Sequence, residues 1–379
     1  MANTLTDLAA DIYKSADIVG RELVGAIPSV TINAGSEGAA FGDTVRSAFT
    51  RKPTLNTSYS PSMTIPEGDD QTVDNKTMTI DKVANVKIPW TGEEIRHLRN
   101  GAGFETVYGD QIAQAMRSIT NAIEAELLGT IYKGSSRAHG TAGTTPFGSG
   151  FNEMAEIRKI LIDNGMPADN QATLVINSAA GVKLRNLAQL QKASEAGGTD
   201  LLRRGTLLDL QGIMIKESAG VSAHTKGTGT SYQLSAARAV GATSIAVDTG
   251  SGTLLAGDIV TFAGTSDKYV ANSALAGGSF TIGNPGLLYV EADNDSLTIG
   301  NNYTANVAFH RAAVELVVRP PEQPFGGDAA VDRMTVQDPM SGLVYEIAMY
   351  KGYGKAMIDI TTFYGAKVWK PDFVATLLG

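Results

Sequence analysis

Phe104-Glu-Thr-Val-Tyr-Gly-Asp-Gln-Ile-Ala-Gln-Ala-Met-Arg-Ser-Ile-Thr-Asn-Ala-Ile-Glu-Ala-Glu-Leu-Leu-Gly-Thr-Ile-Tyr132 carries the strongest periodic signal in a chain of 379 residues. Ile112, Met116, Ile119, Ile123 and Leu127 recur at three- and four-residue spacing, which places them on one face of a helix. Gln111, Gln114, Arg117 and Glu124 fall off that stripe. A helix of about 28 residues spans roughly 42 Å at about 1.5 Å per residue. That is long for a small globular domain and suits a spine on which other parts are hung.

Upstream of the spine, Thr91-x-x-Glu94 matches a capping box and opens a short helix, with Gly101 as its stop. Before that, Met78, Ile80, Ala84, Val86 and Ile88 alternate with mainly polar residues, the periodicity of a strand. Pro53, Pro61 and Pro66 rule out central-strand pairing in the preceding half, and Pro66-Glu-Gly-Asp-Asp70 has the chemistry of an exposed turn. Residues 31–90 therefore read as an extended β-hairpin loop. An isolated two-stranded hairpin is marginal in water, so this one is expected to lie on a neighbouring copy. Residues 1–30 are apolar at helical spacing (Leu5, Leu8, Ala9, Ile12, Tyr13, Ala16, then Val19, Leu23, Val24 and Ile27). Either a core-packing helix or an arm docked on a neighbour accounts for that stripe.

Downstream, 91–150 completes the spine and a Gly/Ser/Thr-rich loop from 133 to 150. Residues 151–221 alternate helix and strand: a helix over Asn152–Asn164 facing inward through Met154, Ile157 and Leu161 and ended by Gly165 and Pro167, a strand Thr173–Ile176, a helix Ala179–Gln191 and a strand Gly212–Glu217. The texture changes over 222–308 to short β-prone stretches between Gly, Ser and Thr, such as 243–247, 258–262 and 279–282, which reads as an inserted small β-barrel or sandwich. Residues 309–379 return to sheet, with Leu343–Met349 and Ala356–Tyr364 flanking Lys351-Gly-Tyr-Gly354 as a hairpin. The fold class is α+β.

Composition narrows the function. Hydrophobic residues are 43% of the chain, enough for substantial cores, and the net charge is −8, which disfavours a tight grip on nucleic acid phosphates. Cysteine is absent, which removes disulfides, thiolate nucleophiles and cysteine-ligated metals. Met1-Ala-Asn-Thr-Leu-Thr-Asp-Leu8 lacks the basic and apolar regions of a secretory signal, and no apolar run reaches membrane-spanning length, so a soluble protein made in the cytosol is expected.

Catalytic motifs are missing. There is no Gly-x-Ser-x-Gly elbow, no Walker A loop (Gly354-Lys355 is followed by Ala356) and no Gly-x-Gly-x-x-Gly. Glu94-Ile-Arg-His97 is a single Glu-x-x-His where a di-metal site needs two, and His139, His224 and His310 are scattered. Glu291, Asp293 and Asp295 alternate without the glycine and distal glutamate of a calcium loop. A solvated acidic turn, a surface cation site and an ion-pair contact with a neighbouring subunit remain open for them. Asp69 and Asp70 sit at the hairpin turn, with Arg51 and Lys52 at its approach. These seven side chains are the candidates for contact between subunits. No catalytic, cofactor or metal residue is assigned, and the chain is not expected to be an enzyme.

The order of parts is informative. Gly42-Asp-Thr-Val-Arg46 followed by Pro53, the helix 104–132, Phe151-Asn-Glu-Met-Ala-Glu-Ile-Arg-Lys-Ile-Leu161 followed by Leu174-Val-Ile176, Gly257-Asp-Ile-Val-Thr-Phe-Ala-Gly264, Ala308-Phe-His-Arg-Ala-Ala313 with Arg319-Pro-Pro, and Asp359, Tyr364-Gly365 and Lys367-Val-Trp-Lys-Pro371 run in an order that resembles the HK97-like major capsid proteins of tailed bacteriophages. The branch resembled is the one typified by the P22 coat protein, which carries an inserted β-domain. The resemblance implies an N-arm, an extended loop, a spine helix, an α/β axial domain and an inserted β-barrel. It implies self-assembly as pentamers and hexamers into an icosahedral head in the virion, made in the bacterial host cytoplasm, with scaffolding and portal proteins as partners. Double-stranded DNA would be enclosed without sequence-specific binding, and there would be no cofactor and no membrane. A second class stays open, a glycan-binding or adhesin-like surface protein using the β-insert, which predicts aromatic platforms there. A hydrolase with an unrecognised site and a tail-tube protein are further alternatives, the second fitting the long spine poorly.

Overall fold

The computed structural model describes residues 25–50, 59–65, 73–100, 104–191, 209–338 and 341–379. The apolar stripe from Leu5 to Val24, the turn Pro66–Asp70 and the stop at Gly101 lie outside them.

The first elements in chain order are β1 (Thr31–Ala34), β2 (Thr44–Thr50), β3 (Val73–Thr79), β4 (Lys82–Thr91), α1 (Gly92–Asn100), α2 (Phe104–Lys133) and β5 (Arg137–Gly140). There follow α3 (Asn152–Asp163), β6 (Ala172–Ile176), α4 (Ser178–Arg185), α5 (Ala188–Gln191), β7 (Met214–Glu217), β8 (Ala223–His224), β9 (Tyr232–Leu234) and β10 (Ser244–Asp248). Then come β11 (Ile259–Phe262), β12 (Lys268–Val270), β13 (Ser279–Thr281), β14 (Ser296–Ile299) and β15 (Tyr303–His310). The chain closes with β16 (Val314–Arg319), β17 (Ala330–Gln337), β18 (Val344–Lys351), β19 (Lys355–Val368) and β20 (Val374–Leu378).

The spine α2 forms as its periodicity requires. Ile112, Met116, Ile119, Ile123 and Leu127 are all buried, against a six-stranded sheet that offers Ile347, Ile358 and Ile360. Burying each such side chain contributes about 1.5–3 kcal/mol. That sheet runs β1-β16-β19-β18-β17, with β4 on the other edge of β19. β4 alternates as expected, Ala84, Ile88 and Trp90 inward and Asn85 and Lys87 outward. Thr91 and Glu94 close the capping box in both directions: the Thr91 amide donates to Glu94 at 2.9 Å and the Glu94 amide donates to the Thr91 hydroxyl at 3.3 Å.

A second, twelve-stranded sheet runs β13-β10-β9-β14-β11-β12-β5-β20-β15-β6-β7, with β8 on β15. Its β6-β7 end carries α3 and α4 on an apolar layer of Met154, Ile157, Leu161, Leu174 and Leu184. α3 ends in a Schellman motif: the Met166 amide bonds the Leu161 carbonyl and the Gly165 amide the Ile162 carbonyl, with Gly165 at φ +88°. Its other end, β9 to β14, encloses a separate core of Leu234, Ile245, Val260, Phe262, Tyr269 and Phe280.

Several expectations change. The stretch 31–90 is not one protrusion: β1 pairs in parallel with β16 and β4 pairs with β19, so among its described strands β2 and β3 alone pair outside the two large sheets. The 133–150 loop contains β5, a four-residue strand held by β20 on one side and β12 on the other. The helix expected over 179–191 is two, broken at Asn186 and Leu187. β15 begins inside the stretch read as insert, yet it is the central strand between β20 and β6.

The largest departure is Glu124. It sits on the spine at 1% exposure, where its carboxylate accepts the amides of Gly25 (2.9 Å), Ala26 (2.7 Å) and Ile27 (3.0 Å) and the Ser218 hydroxyl (2.8 Å). Lys216 lies beside it, bonding the Ser29 hydroxyl at 2.8 Å, and burial holds its ammonium pKa down while Glu124 acts the other way. The clamp seats the incoming chain between the spine and β7. Glu124→Ala leaves three buried amides without an acceptor, and the expected cost is about 3 kcal/mol or more in denaturant unfolding. A loss below about 1 kcal/mol would show that water or a shifted backbone replaces the carboxylate.

Candidate interaction surfaces

Among the described residues, no three His, Asp or Glu side chains are grouped to hold a metal ion, and no helix is long and apolar enough to cross a membrane. His224 is enclosed rather than presented. Its Nε2 meets Asp258 at 2.9 Å and its Nδ1 meets the Tyr132 hydroxyl at 3.3 Å, while Asp258 also accepts the amides of Leu255 and Gly227. Tyr303 stacks on the same ring and donates to the Gly257 carbonyl at 2.6 Å. A Cβ at Gly257, where φ is +100°, would lie 2.6 Å from the Tyr132 ring. This buried group is a strut joining the end of the spine to the β9–β14 unit.

The ribbon β2–β3 pairs in register from Thr44 with Thr79 to Thr50 with Val73. Among the described residues its root is anchored to the body. Met78 and Ile80 are buried with Ala39 and Val317, and the Ile80 and Gly42 amides close the base against Asp43 and Ile80 carbonyls at 2.9 Å. Lys367 lies 4.7 Å and Lys76 5.9 Å from the centre of the Trp369 ring, whose indole N–H donates to Glu315 at 2.6 Å. Beyond the root, Tyr59, Met63 and Ile65 are almost wholly exposed. Apolar side chains on a segment with no core of its own are the signature of a surface completed by a partner. Arg51, Lys52, Asp69 and Asp70, the contact candidates in this ribbon, lie outside the described residues.

The turn Glu291–Asp295 does not behave as three solvated acids. Glu291 points inward at 2% exposure and its Oε1 has no hydrogen-bond partner among the described residues. Burial first, then Asp295 and Asp267, push its carboxyl above the usual range. Asp295 closes the turn by accepting the Ala292 amide at 2.6 Å, and Asp293 alone is left exposed. The three do not converge on a cation. The aromatic residues of the β9–β14 unit, Tyr232, Phe262, Tyr269 and Phe280, are buried, as is Tyr303 of β15, and only Tyr289 is exposed. That is a poor platform for a sugar.

A surface that sequence reasoning missed lies on the outward side of the six-stranded sheet. The loop from Pro321 to Asp328 roofs a cavity of about 230 Å³ over β4, β19, β18 and β17. Arg333 bridges Glu346 (2.7 Å) and Asp328, and Tyr350 donates to Asp328 at 2.7 Å. Those donors, with the Ala330 amide, pull Asp328 down to about 2 and the bond pushes Tyr350 up to about 12. Asn85 and Thr361 both donate to Asp359. These residues come from four strands and a loop, so no linear motif announces them.

No protein-family model matches the chain, and no curated protein matches it in sequence. Solved structures of similar shape include a chain of Mycobacterium phage Che8, 16% identical, with 89% of this chain and 84% of that one aligned at a TM-score of 0.49. A chain of the cyanophage P-SCSP1u capsid is 14% identical, over 92% and 86%, at 0.49. A virus-like particle from Pyrococcus furiosus is 8% identical, over 98% and 100%, at 0.47.

Glu291 gives a pH test with a fixed sign. Its pKa is raised in the fold, so at neutral pH ionisation costs the native state stability. The penalty fades as pH falls through the folded pKa towards 4.5. Glu291→Gln is therefore expected to stabilise the protein by about 1 kcal/mol at pH 7. Thermal melts of both proteins should converge as the pH approaches 4.5. Equal melting points at pH 7 would mean the buried carboxylate is solvated.

Proposed function

We propose that this chain is a shell-forming subunit, the major capsid protein of a tailed phage with an HK97-like fold and a P22-like inserted β-domain. The observation that carries the reading is the ribbon β2–β3. Among the described residues it is held to the body at its root, and the stretch between its strands bears exposed Tyr59, Met63 and Ile65. Such a segment is stable only against another molecule. The simplest partner is a further copy of the chain.

The remaining parts suit that role. The spine and its sheet form a stiff plate, and the twelve-stranded sheet joins the β9–β14 unit to the plate through β12 and β5 rather than through a flexible linker. Copies related by rotation, as pentamers and hexamers, then close a shell through many modest contacts. A net charge of −8 lets that shell enclose DNA without gripping it. Scaffolding and portal proteins complete the assembly in this reading, and the finished protein resides in the virion.

Electron microscopy of the purified chain, alone and with its scaffolding partner, tests the proposal: closed shells of uniform diameter are expected, and monomers under both conditions overturn it. The role of the ribbon has its own test. Because β4 belongs to the body, the excision runs from residue 51 to 72, with Thr50 joined to Val73, its register partner, through Asn-Gly. The shortened chain should keep the parent's thermal unfolding and make no shells. Shells of normal size would remove the ribbon from the assembly contacts.

A further inference from the structure

Strand β5 buries an arginine that no acid meets. Arg137 is 6% exposed and lies against the last turn of α3, where its Nη2 donates to the Asn164 side-chain oxygen at 2.7 Å and to the Ile160 carbonyl at 3.5 Å. A cation suits that place, because a helix C-terminus carries about half a negative charge. The rest of the guanidinium is unmet. Its Nε is buried without a hydrogen-bond partner, and Nη1 makes no hydrogen bond among the described residues. A guanidinium cannot shed its proton to escape such a site.

Arg137 lines a cavity of about 320 Å³ between β5, α3 and the turn from β11 to β12. Lys268, opposite Ala138 in the β12–β5 pair, lines the same space. Its ammonium donates to the Gly140 carbonyl, and burial holds its pKa below the usual value with no acid offsetting that effect. His139 is half-buried beside them, and burial chiefly keeps its imidazole pKa low. The acids of the cavity do not neutralise the two cations. Glu156 reaches Lys159 instead, at 4.0 Å, Asp163 is exposed, and Asp267 pairs with neither Arg137 nor Lys268. His139 and these acids are not grouped to hold a metal ion. A buried cation with no counter-ion is costly, and an anion brought from outside offsets that cost.

We infer that this cavity is a binding site for a small oxyanion of the phosphate type, held by Arg137 and Lys268. The inference does not rest on the shell reading. The donors converge from β5 and from the β11–β12 turn, so a tetrahedral ion, with oxygens in more than one plane, meets them better than a flat carboxylate. Charge-assisted bonds from arginine to phosphate are among the stronger hydrogen bonds. The Ser266 hydroxyl and the His139 ring line the same space and add donors without adding charge. Glu156, Asp163 and Asp267 limit the guest: a long polyanion such as nucleic acid would be repelled by all three, whereas a single ion sits between the two cations. The bound ion ties the β9–β14 unit to α3 and β5, in addition to the Tyr132–His224–Asp258 strut.

Calorimetric titration of the folded full chain with inorganic phosphate, at an ionic strength held constant with chloride, tests the site. Saturable binding of one ion per chain is expected, with a melting temperature that rises as the site fills. Sulfate should compete. Lys268→Gln keeps a donor for the Gly140 carbonyl and removes the charge, and it should weaken phosphate binding about tenfold or more. No saturable binding, or equal affinity in the parent and Lys268→Gln, overturns the inference. Acetate binding as tightly as phosphate also overturns it, and would make the cavity a seat for an acidic side chain. Hydrogen exchange on the parent needs no variant to fold. Phosphate should slow exchange in Arg137–Gly140 and Ser266–Val270 and leave β16 to β19 unchanged. Slowing that is absent, or uniform along the chain, overturns the site.

Discussion

A carboxylate buried on the spine, Glu124, fixes where residues 25–30 sit in the body, and much of the architecture follows from that point. Gly25, Ala26 and Ile27 present three successive amides to it before the backbone turns through a 3-10 turn at Ile27–Ser29. Those amides have no strand or helix partner, so an apolar residue at position 124 would leave them orphaned in the core. A charge at the start of a helical turn also meets the positive end of its peptide dipoles. Once residues 25–30 are held, β1 enters in parallel beside β16, β16 pairs with β19, and β19 lies on the spine that bears Glu124. The contact closes a loop through the structure instead of adding one more bond to it. It also explains the glycine at 25, where a Cβ would stand 3.0 Å from the Glu217 carbonyl and the Ser218 side chain.

The second constraint is how the β9–β14 unit is attached. A unit with a core of its own is free to swing if it hangs on loops. This one shares a sheet with the body, through β12 and β5, and the Tyr132–His224–Asp258 strut ties it to the C-terminal end of the spine. Rigidity is thereby concentrated in the body and unit. That distribution is what a subunit needs if one fold is to sit in several non-identical environments: stiff surfaces set the geometry and a thin, weakly rooted element absorbs the difference.

How much of this was legible in the sequence depended on whether the signal was local. The spine stripe, the Thr91–Glu94 box and the Gly165 stop are written in neighbouring residues, and the structure has them where the spacing put them. The short β-prone stretches after residue 222 form strands β9 to β14, which enclose a core of their own. Strand β5 was not legible because Arg137–Gly140 sits among Gly, Ser and Thr and is a strand only through partners 130 to 240 residues away. Glu124 falls off the apolar stripe, and nothing near position 124 reveals that Gly25–Ile27 will arrive there. Glu291 is a similar case: alternation of acids says nothing of which one turns inward. The cavity acids are separated along the chain and meet only because β4, β17, β18 and β19 are neighbours.

The placement of charge also bears on how such a subunit avoids premature association. Large exposed apolar faces associate without waiting for a correct partner, and the described body has few of them. Its exposed hydrophobic side chains are scattered, apart from those on the ribbon and at the rim of the acidic cavity. A net charge of −8 keeps free copies apart at long range. Attraction must then come from local reversals of that sign, where a cation of one copy meets a concentrated acid of another at short distance.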